Sequence, residues 1–98
     1  MSPVEIESIR HQALRPFAET GRSKGLPGNV VERLRNMLAF LAAADGPTEL
    51  YVPPNFGAHE LTGDLAGTWS LTVTKNLRIT FRINDRGKVA DLDLEDYH

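Results

Sequence analysis

The chain contains no cysteine, which excludes disulfide bonds, thiolate nucleophiles and cysteine zinc sites together. No apolar run approaches the roughly 18 residues that a membrane-spanning helix requires. The opening residues, MSPVEIESIR, lack the basic and then apolar order of a secretory signal and do not have the character of a transit peptide. We therefore expect a soluble cytoplasmic protein that does not associate with a membrane.

An excess of basic charge is also missing. The formal net charge is -2, whereas proteins that bind nucleic acid generally hold phosphates through a clear surplus of Lys and Arg. The charge is unevenly placed, because residues 1–40 contain six Lys and Arg against four Asp and Glu, and residues 41–98 contain five against nine. This argues against a general nucleic-acid binder, and any contact with RNA must be local.

The chain is too short for two cores. A length of 98 residues, with 41% hydrophobic and 24% charged residues, is typical of one globular domain with one modest core. No internal repeat, low-complexity tract or long linker divides the sequence. We expect a single domain over residues 1–98.

The first half of the chain has helical periodicity. Val4 and Ile6 alternate with acidic residues, which predicts a short edge strand. Pro16 is tolerated only in the first turn of a helix, so the first helix should begin near Leu14. After the loop GRSKGLPG, Asn29 and Glu32 have the spacing of a capping box. A second helix follows, with an apolar stripe at Val30, Val31, Leu34, Met37, Leu38 and Leu41 and polar residues facing away at Glu32, Arg33, Arg35 and Asn36, and it should end at Gly46 and Pro47.

The period changes to two from His59 onward, which predicts a β-meander. In the first hairpin, a tight turn at Lys75 and Asn76 joins two strands with apolar residues at every second position. These residues are Trp69, Leu71 and Val73 in one strand and Leu77, Ile79, Phe81 and Ile83 in the next. A turn at NDRG leads to a last strand whose apolar positions are Ala90, Leu92 and Leu94. If Ile83 opposes Lys88, antiparallel counting pairs Ile79 with Leu92, Phe81 with Ala90 and Arg78 with Asp93. Two helices before a meander with one apolar face predict an α+β two-layer domain.

The polar sheet face carries the residues with chemistry to offer. Arg78 and Arg82 project from it, His59 precedes it, and the chain ends in Asp96, Tyr97 and His98. An arginine can stabilise charge on a pentacoordinate phosphorus, and an imidazole can pass a proton. Together they suit RNA cleavage without a metal, in which the 2′-hydroxyl of the RNA attacks the neighbouring phosphorus.

Each of these residues also has a structural interpretation. A terminal histidine is often a frayed tail residue, and His59 can be an ordinary strand residue with a solvated side. Arg78 and Arg82 both face acidic residues across the hairpin, where exposed salt bridges are routine. Tyr97 can stack on a base, position a phosphate or simply cap the sheet edge. No spacing of His59, His98 and an Asp matches a known metal motif, so we expect neither a metal nor another cofactor.

Two stretches resemble the HigB branch of the RelE-like toxins, also called plasmid-maintenance killer proteins. They are HELTGDLAGTWSLTVTKNLRITFRI and the terminal VADLDLEDYH, and the earlier IESIRHQALRPFAETG and VVERLRNMLAFLAAA match the family's opening strand and paired helices. The resemblance implies a RelE-like fold, in which N-terminal helices pack on one face of a mainly antiparallel sheet. The chain departs from the family pattern at Thr62, where many members have Lys, and at Leu77, where Trp is common.

The resemblance also implies a function. It implies a toxin of a type II toxin-antitoxin system that cleaves mRNA on the ribosome. The toxin would be inhibited by a HigA-like antitoxin with a helix-turn-helix, and it would reach operator DNA only through that antitoxin. The catalytic residues would be His59, Arg78, Asp96, Tyr97 and His98, with no assignment of acid and base, and Arg82 and Lys75 would bind RNA. The alternative is a catalytically weak RelE-fold protein that acts mainly as an antitoxin-binding transcriptional co-regulator. A free-standing DNA-binding regulator fits poorly, because no helix with a basic recognition face is evident.

Overall fold

The computed structural model of the chain describes residues 6–43, 47–51, 56–63 and 67–96. Its sheet has four antiparallel strands in the order β1 (His59–Glu60), β2 (Thr68–Thr72), β3 (Leu77–Ile83) and β4 (Val89–Asp96). Helices α1 (Leu14–Thr20) and α2 (Val31–Ala43) come before the sheet, and short 3-10 helices span Gly28–Val30 and Pro47–Tyr51. The order of elements confirms the predicted pair of helices followed by a meander.

One face of the sheet is buried under the helices. The apolar stripe of α2 is buried at Leu34, Met37, Leu38 and Leu41, and Val31 at its edge is half-buried. Exposed polar residues of α2 face away, as predicted. The sheet contributes the other half of the core, at Trp69, Leu71, Val73, Ile79, Phe81, Val89 and Leu92. The predicted two-layer α+β arrangement is therefore confirmed, and none of the described helices is long and apolar enough to cross a membrane.

Helix α1 begins at Leu14, as the position of Pro16 predicts. Its start is stabilised by His11, whose Nδ1 accepts hydrogen bonds from the backbone N–H groups of Ala13 (3.1 Å) and Leu14 (3.3 Å). The first N–H groups of a helix have no partner within the helix, so an acceptor at this point substitutes for the usual capping side chain. The sequence pattern does not reveal this role, because histidine is not a common capping residue.

The start of α2 differs from the prediction. Asn29 lies inside the 3-10 turn Gly28–Val30, and extended backbone comes earlier, at Pro27 (φ -60°, ψ 131°). The capping-box prediction is wrong, because a capping residue must have non-helical backbone directly before the first helical residue. The carboxylate of Glu32 instead accepts a hydrogen bond from Arg35, one turn further along. At the other end α2 ends at Ala43; Gly46 lies outside the described residues, and Pro47 opens the second 3-10 helix.

The opening segment lies parallel to β4. Ile6 forms a bridge with Val89 and Ile9 forms one with Leu92, both parallel. These are isolated bridges, so the described part of the predicted edge strand is shorter and less regular than expected; Val4 lies outside the described residues. The parallel segment makes the sheet mixed in direction at this edge and mainly antiparallel elsewhere, as the family resemblance implies.

A β-bulge changes the register of the last hairpin. Ile83 pairs with Val89 instead of Lys88, and beyond the bulge Ile79 pairs with Leu94 instead of Leu92. Asp91 has a left-handed backbone (φ 55°), and its N–H donates to Ser8 Oγ at 2.8 Å. The predicted register is therefore wrong by one residue near the turn and by two beyond the bulge, because a bulge places an extra residue in one strand.

The bulge also changes which residues enter the core. Val89 is buried and lies on the core face, whereas Ala90, predicted to be a core residue, pairs with Arg82 on the opposite face. Leu92 and Leu94 keep their predicted side, because the two-residue shift preserves strand alternation. The face assignment of Arg78, which pairs with Glu95 instead of Asp93, is unchanged for the same reason.

The helix cap at His11 can be tested by substitution. His11→Ala should lower the free energy of unfolding by about 1 kcal/mol, the usual cost of losing a capping acceptor. His11→Asn, whose side-chain oxygen can accept the same bonds, should recover most of the loss. Urea unfolding measures both, with Gln12→Ala, an exposed neighbour, as the control; equal stability of the two alanine variants would contradict the capping role.

Candidate functional site

The candidate site is the sheet face that α1 and α2 leave uncovered. Strand pairing places His59, Ser70, Thr80 and Asp93 in one row across all four strands. Residues two apart in a strand share a face, so Arg78 and Arg82 lie on this same face, one on each side of that row. The structure therefore brings both arginines to one surface, as strand alternation predicts, and adds His59 to it.

Arg78 is held by an acidic neighbour. Its Nη2 lies 3.5 Å from Glu95 Oε1, and the hydroxyl of Thr80 donates to the other oxygen, Glu95 Oε2, at 2.6 Å. The Arg78 side chain is only 23% exposed and that of Glu95 is 40% exposed. The ion pair expected under the structural interpretation is thus present, with Glu95 as the partner. Glu95 links Arg78 to β4 and restricts the directions in which the guanidinium can point.

The middle of this face is less exposed than its polar composition predicts. Ser70 and Thr80 are 2% and 5% exposed, although they alternate with the core residues of their strands. Burial is tolerated for Thr80 because its hydroxyl has an acceptor in Glu95. Two short side chains therefore separate His59 on the outer strand from Arg78 on the inner one. The Cα atoms of those two residues are about 12 Å apart, from the ordinary spacing and rise of strands.

His59 lies on the outer strand β1 and is exposed. Its Nδ1 is 3.1 Å from the carbonyl oxygen of Gly57. A carbonyl oxygen only accepts, so this contact requires a proton on Nδ1. In the neutral ring Nε2 then has the free lone pair and can take a proton from a ligand.

The end of the chain is placed only in part. Asp96 is the last residue of β4 and pairs with Leu77. Strand alternation puts its side chain on the face of Leu77 and not on the face of Arg78, so the structure does not bring Asp96 together with the two arginines and His59. Tyr97 and His98 lie outside the described residues, and their roles stay predictions.

Of the two residues expected to bind RNA, Arg82 lies on the site face and Lys75 lies in a turn at one end of the sheet. Arg82 is exposed and pairs with Thr68 on one side, and its guanidinium covers Gly67, where an added Cβ would lie 3.3 Å from Nη2. Lys75 is exposed in the turn between β2 and β3. Thr62 is exposed after β1, and Leu77 packs at the edge of the core. In the part of the chain that the structure describes, no group of three or more His, Asp or Glu could hold a metal ion.

Comparison with known proteins identifies the family of the chain. Residues 7–98 match the family model described as the RelE-like toxin of the type II toxin-antitoxin system HigB. A curated relative, the endoribonuclease HigB of Proteus vulgaris, is 37% identical over 93 residues, which cover 95% of this chain and 99% of the relative.

Solved structures share the fold. The YoeB-YefM complex from Staphylococcus aureus aligns with a TM-score of 0.56 at 15% identity, covering 97% of this chain and 99% of the matched one. The RelBE2 toxin-antitoxin complex from Mycobacterium tuberculosis gives 0.51 at 22% identity over 99% and 94%. YafQ from Escherichia coli gives 0.52 at 12% identity over 94% and 93%. The RelE-like fold predicted from the sequence is confirmed.

The role of Glu95 predicts a specific coupling. Glu95→Ala should cost between about 1 and 2 kcal/mol of unfolding free energy, because the nearly buried Thr80 hydroxyl loses its acceptor. In a Thr80→Val background the same change should cost clearly less, since no hydroxyl is left unsatisfied. Urea unfolding of the four proteins gives the coupling energy. Asp85→Ala, in the exposed turn before β4, is the control, and additive effects of the two changes would exclude the link.

Proposed function

The chain belongs to the HigB-like family of RelE-like toxins of type II toxin-antitoxin systems, and on this premise we propose that it is an endoribonuclease that cleaves mRNA on the ribosome. The name of its relative from Proteus vulgaris supports the reaction. The observation in the structure that supports it best is the placement of Arg78 and His59 on one uncovered sheet face. That face offers a cation and a proton carrier on opposite sides of two short side chains.

The chemistry we propose needs no protein nucleophile. A base removes the proton of a ribose 2′-hydroxyl, the oxygen attacks the adjacent phosphorus in line, and an acid protonates the leaving 5′-oxygen. Arg78 stabilises the charge that develops on the phosphorus oxygens, while Glu95 keeps its guanidinium in place. His59 and His98 are the proton carriers, and Tyr97 holds a base by stacking. Asp96 is left out of the proton transfer, because strand pairing places its side chain on the face opposite Arg78.

The toxin has two kinds of partner, the ribosome with its mRNA and the antitoxin that inhibits the cleavage. Arg82 on the site face and Lys75 in the turn at one end of the sheet contact the phosphate backbone, with the ribosome holding most of the mRNA in position. One of the similar solved structures is a toxin-antitoxin complex and another is the YoeB-YefM complex, which supports an antitoxin partner. We propose that this partner is a HigA-like helix-turn-helix protein, through which alone the toxin reaches operator DNA, and that the toxin acts in the cytoplasm.

Substitution of Arg78 tests the site. Arg78→Gln should lower the rate of mRNA cutting in a purified translation system by about 100-fold or more, because a donor to the transition state is lost. Arg86→Gln is the matched control, since Arg86 also forms an ion pair with a glutamate, Glu7, but lies in the β3–β4 turn. Its rate should equal that of the unchanged chain. The proposal fails if the unchanged chain cuts no mRNA and forms only a tight complex with its antitoxin, the behaviour expected of a co-regulator.

The nucleophile can be tested on the RNA. An mRNA with a single 2′-deoxy nucleotide directly before the cutting position should be resistant there and be cut normally at other positions. The products of the unmodified mRNA should have a 5′-hydroxyl and a cyclic or 3′-terminal phosphate. Cutting of the modified position at the normal rate would show that an activated water is the nucleophile.

A further inference from the structure

The residues before His59 form a turn that α2 holds in place through Arg33, which donates to the backbone carbonyl oxygen of Thr72. We propose that Arg33 is a positioning residue for the cleavage reaction: by clamping the turn at Phe56 and Gly57, it keeps the imidazole of His59 in the tautomer that has its proton on Nδ1. This inference rests on the proposed function, because it assigns Arg33 a role in the same reaction.

The turn has an unusual backbone. Phe56 and Gly57 are both left-handed, with φ values of 50° and 67°. Glycine adopts this conformation readily, but for a bulky residue such as phenylalanine it is unfavourable and persists only where the surroundings enforce it. An added Cβ at Gly57 would lie 3.0 Å from Thr72 Oγ1, so the close approach to β2 also requires glycine here. Something must therefore hold Phe56.

Three contacts hold it. The N–H of Thr72, at the end of β2, donates to the carbonyl oxygen of Phe56 at 2.8 Å. The Phe56 ring lies against the Phe40 ring, with centroids 5.3 Å apart and planes at 71°. The guanidinium of Arg33 is 5.2 Å from the centroid of the same Phe56 ring. Edge-to-face ring packing and a cation over a ring are both favourable geometries.

Arg33 also closes the clamp on the strand. Its Nη2 donates to the carbonyl oxygen of Thr72 at 2.9 Å. Thr72 thus binds the turn through its N–H and the helix through its carbonyl group. Arg33 therefore connects α2, the end of β2 and the Phe56 ring, although it is an exposed residue of the helix.

The clamp determines the direction of one carbonyl group. Gly57 follows Phe56 directly, and its oxygen lies 3.1 Å from Nδ1 of His59. Because that oxygen only accepts, the Nδ1 position of the ring must carry the proton, and Nε2 presents the lone pair. His11 has the opposite arrangement, since its Nδ1 accepts from two backbone N–H groups and its proton must be on Nε2. The chain thus contains a reference histidine for each tautomer.

A released turn would act on the chemical step. If Phe56 relaxes, the Gly57 carbonyl no longer selects one tautomer, and His59 presents the correct nitrogen to the RNA only part of the time. The turnover number should then fall by between about tenfold and 100-fold, the range expected from a small misplacement of a reacting group. The Michaelis constant should change little, because Arg33 belongs to α2, which packs on the other face of the sheet, and its guanidinium is engaged with Thr72 and Phe56.

Ring-nitrogen NMR of the full chain, labelled at histidine, tests the tautomer without reference to activity. At a pH where the rings are neutral, His59 should show a protonated Nδ1 and an unprotonated Nε2, and His11 should show the reverse. Arg33→Gln should move the two His59 signals toward each other and leave those of His11 unchanged; His59→Gln identifies the signals. Arg35→Gln is the matched control, because Arg35 lies on the same helix with its guanidinium 5.4 Å from the ring of Phe17, far from the turn.

The remaining variants separate this inference from the proposed function. Arg33→Lys, which keeps a donor to Thr72 but not the flat cation over the ring, should be intermediate, and Phe56→Leu should act like Arg33→Gln and carries the test if Arg33→Gln fails to fold. Unchanged His59 signals in Arg33→Gln and Phe56→Leu, or an equal change in Arg35→Gln, would overturn the inference even if the chain cuts mRNA. A changed tautomer in a chain that cuts no mRNA would overturn the proposed function and leave the Arg33 clamp in place.

Discussion

Burial of one sheet face beneath α1 and α2 is the constraint on which the rest of the structure depends. Each fully buried Leu, Ile or Phe stabilises the fold by roughly 1.5–3 kcal/mol, and the core takes such residues from both layers. Because side chains alternate along a strand, placing Leu71 and Ile79 in the core forces Ser70 and Thr80 onto the other side. The site face is thus a consequence of core packing, and a shift by one residue in any strand would dismantle both faces together.

The site face combines tight packing with an open surface. Thr80 is nearly buried and needs an acceptor, and Glu95 supplies it while also binding Arg78. A partly buried arginine with an acidic neighbour is held in one orientation, but it is also partly neutralised before RNA arrives. In the proposed reaction, the RNA phosphate would compete with Glu95 for the guanidinium. This arrangement favours accurate placement of the charge over strong attraction, in keeping with a chain whose net charge is negative.

The edges of the sheet are where local exceptions accumulate. At one edge the opening segment binds β4, and the left-handed Asp91 donates its N–H to Ser8 instead of to a strand. At the other edge the left-handed Phe56 lies under the Arg33 guanidinium next to β1. Both positions hold a non-glycine residue in a conformation that costs free energy, and in both cases a contact from outside the sheet compensates for it.

The sequence by itself determined the order of the elements, the start of α1 at Leu14 and the face on which Arg78 and Arg82 lie, because these depend only on periodicity and on the chemistry of proline. The family resemblance added the specific RelE-like fold and the catalytic roles of the candidate residues. Tertiary structure decided the rest: the bulge at Asp91, the pairing of Arg78 with Glu95, and the opposite faces of Arg78 and Asp96. The alternating pattern of the sequence does not reveal a bulge, and the ion-pair partner of Arg78 depends on the register that the bulge sets. Neither the bulge nor that partner could therefore be predicted from the sequence.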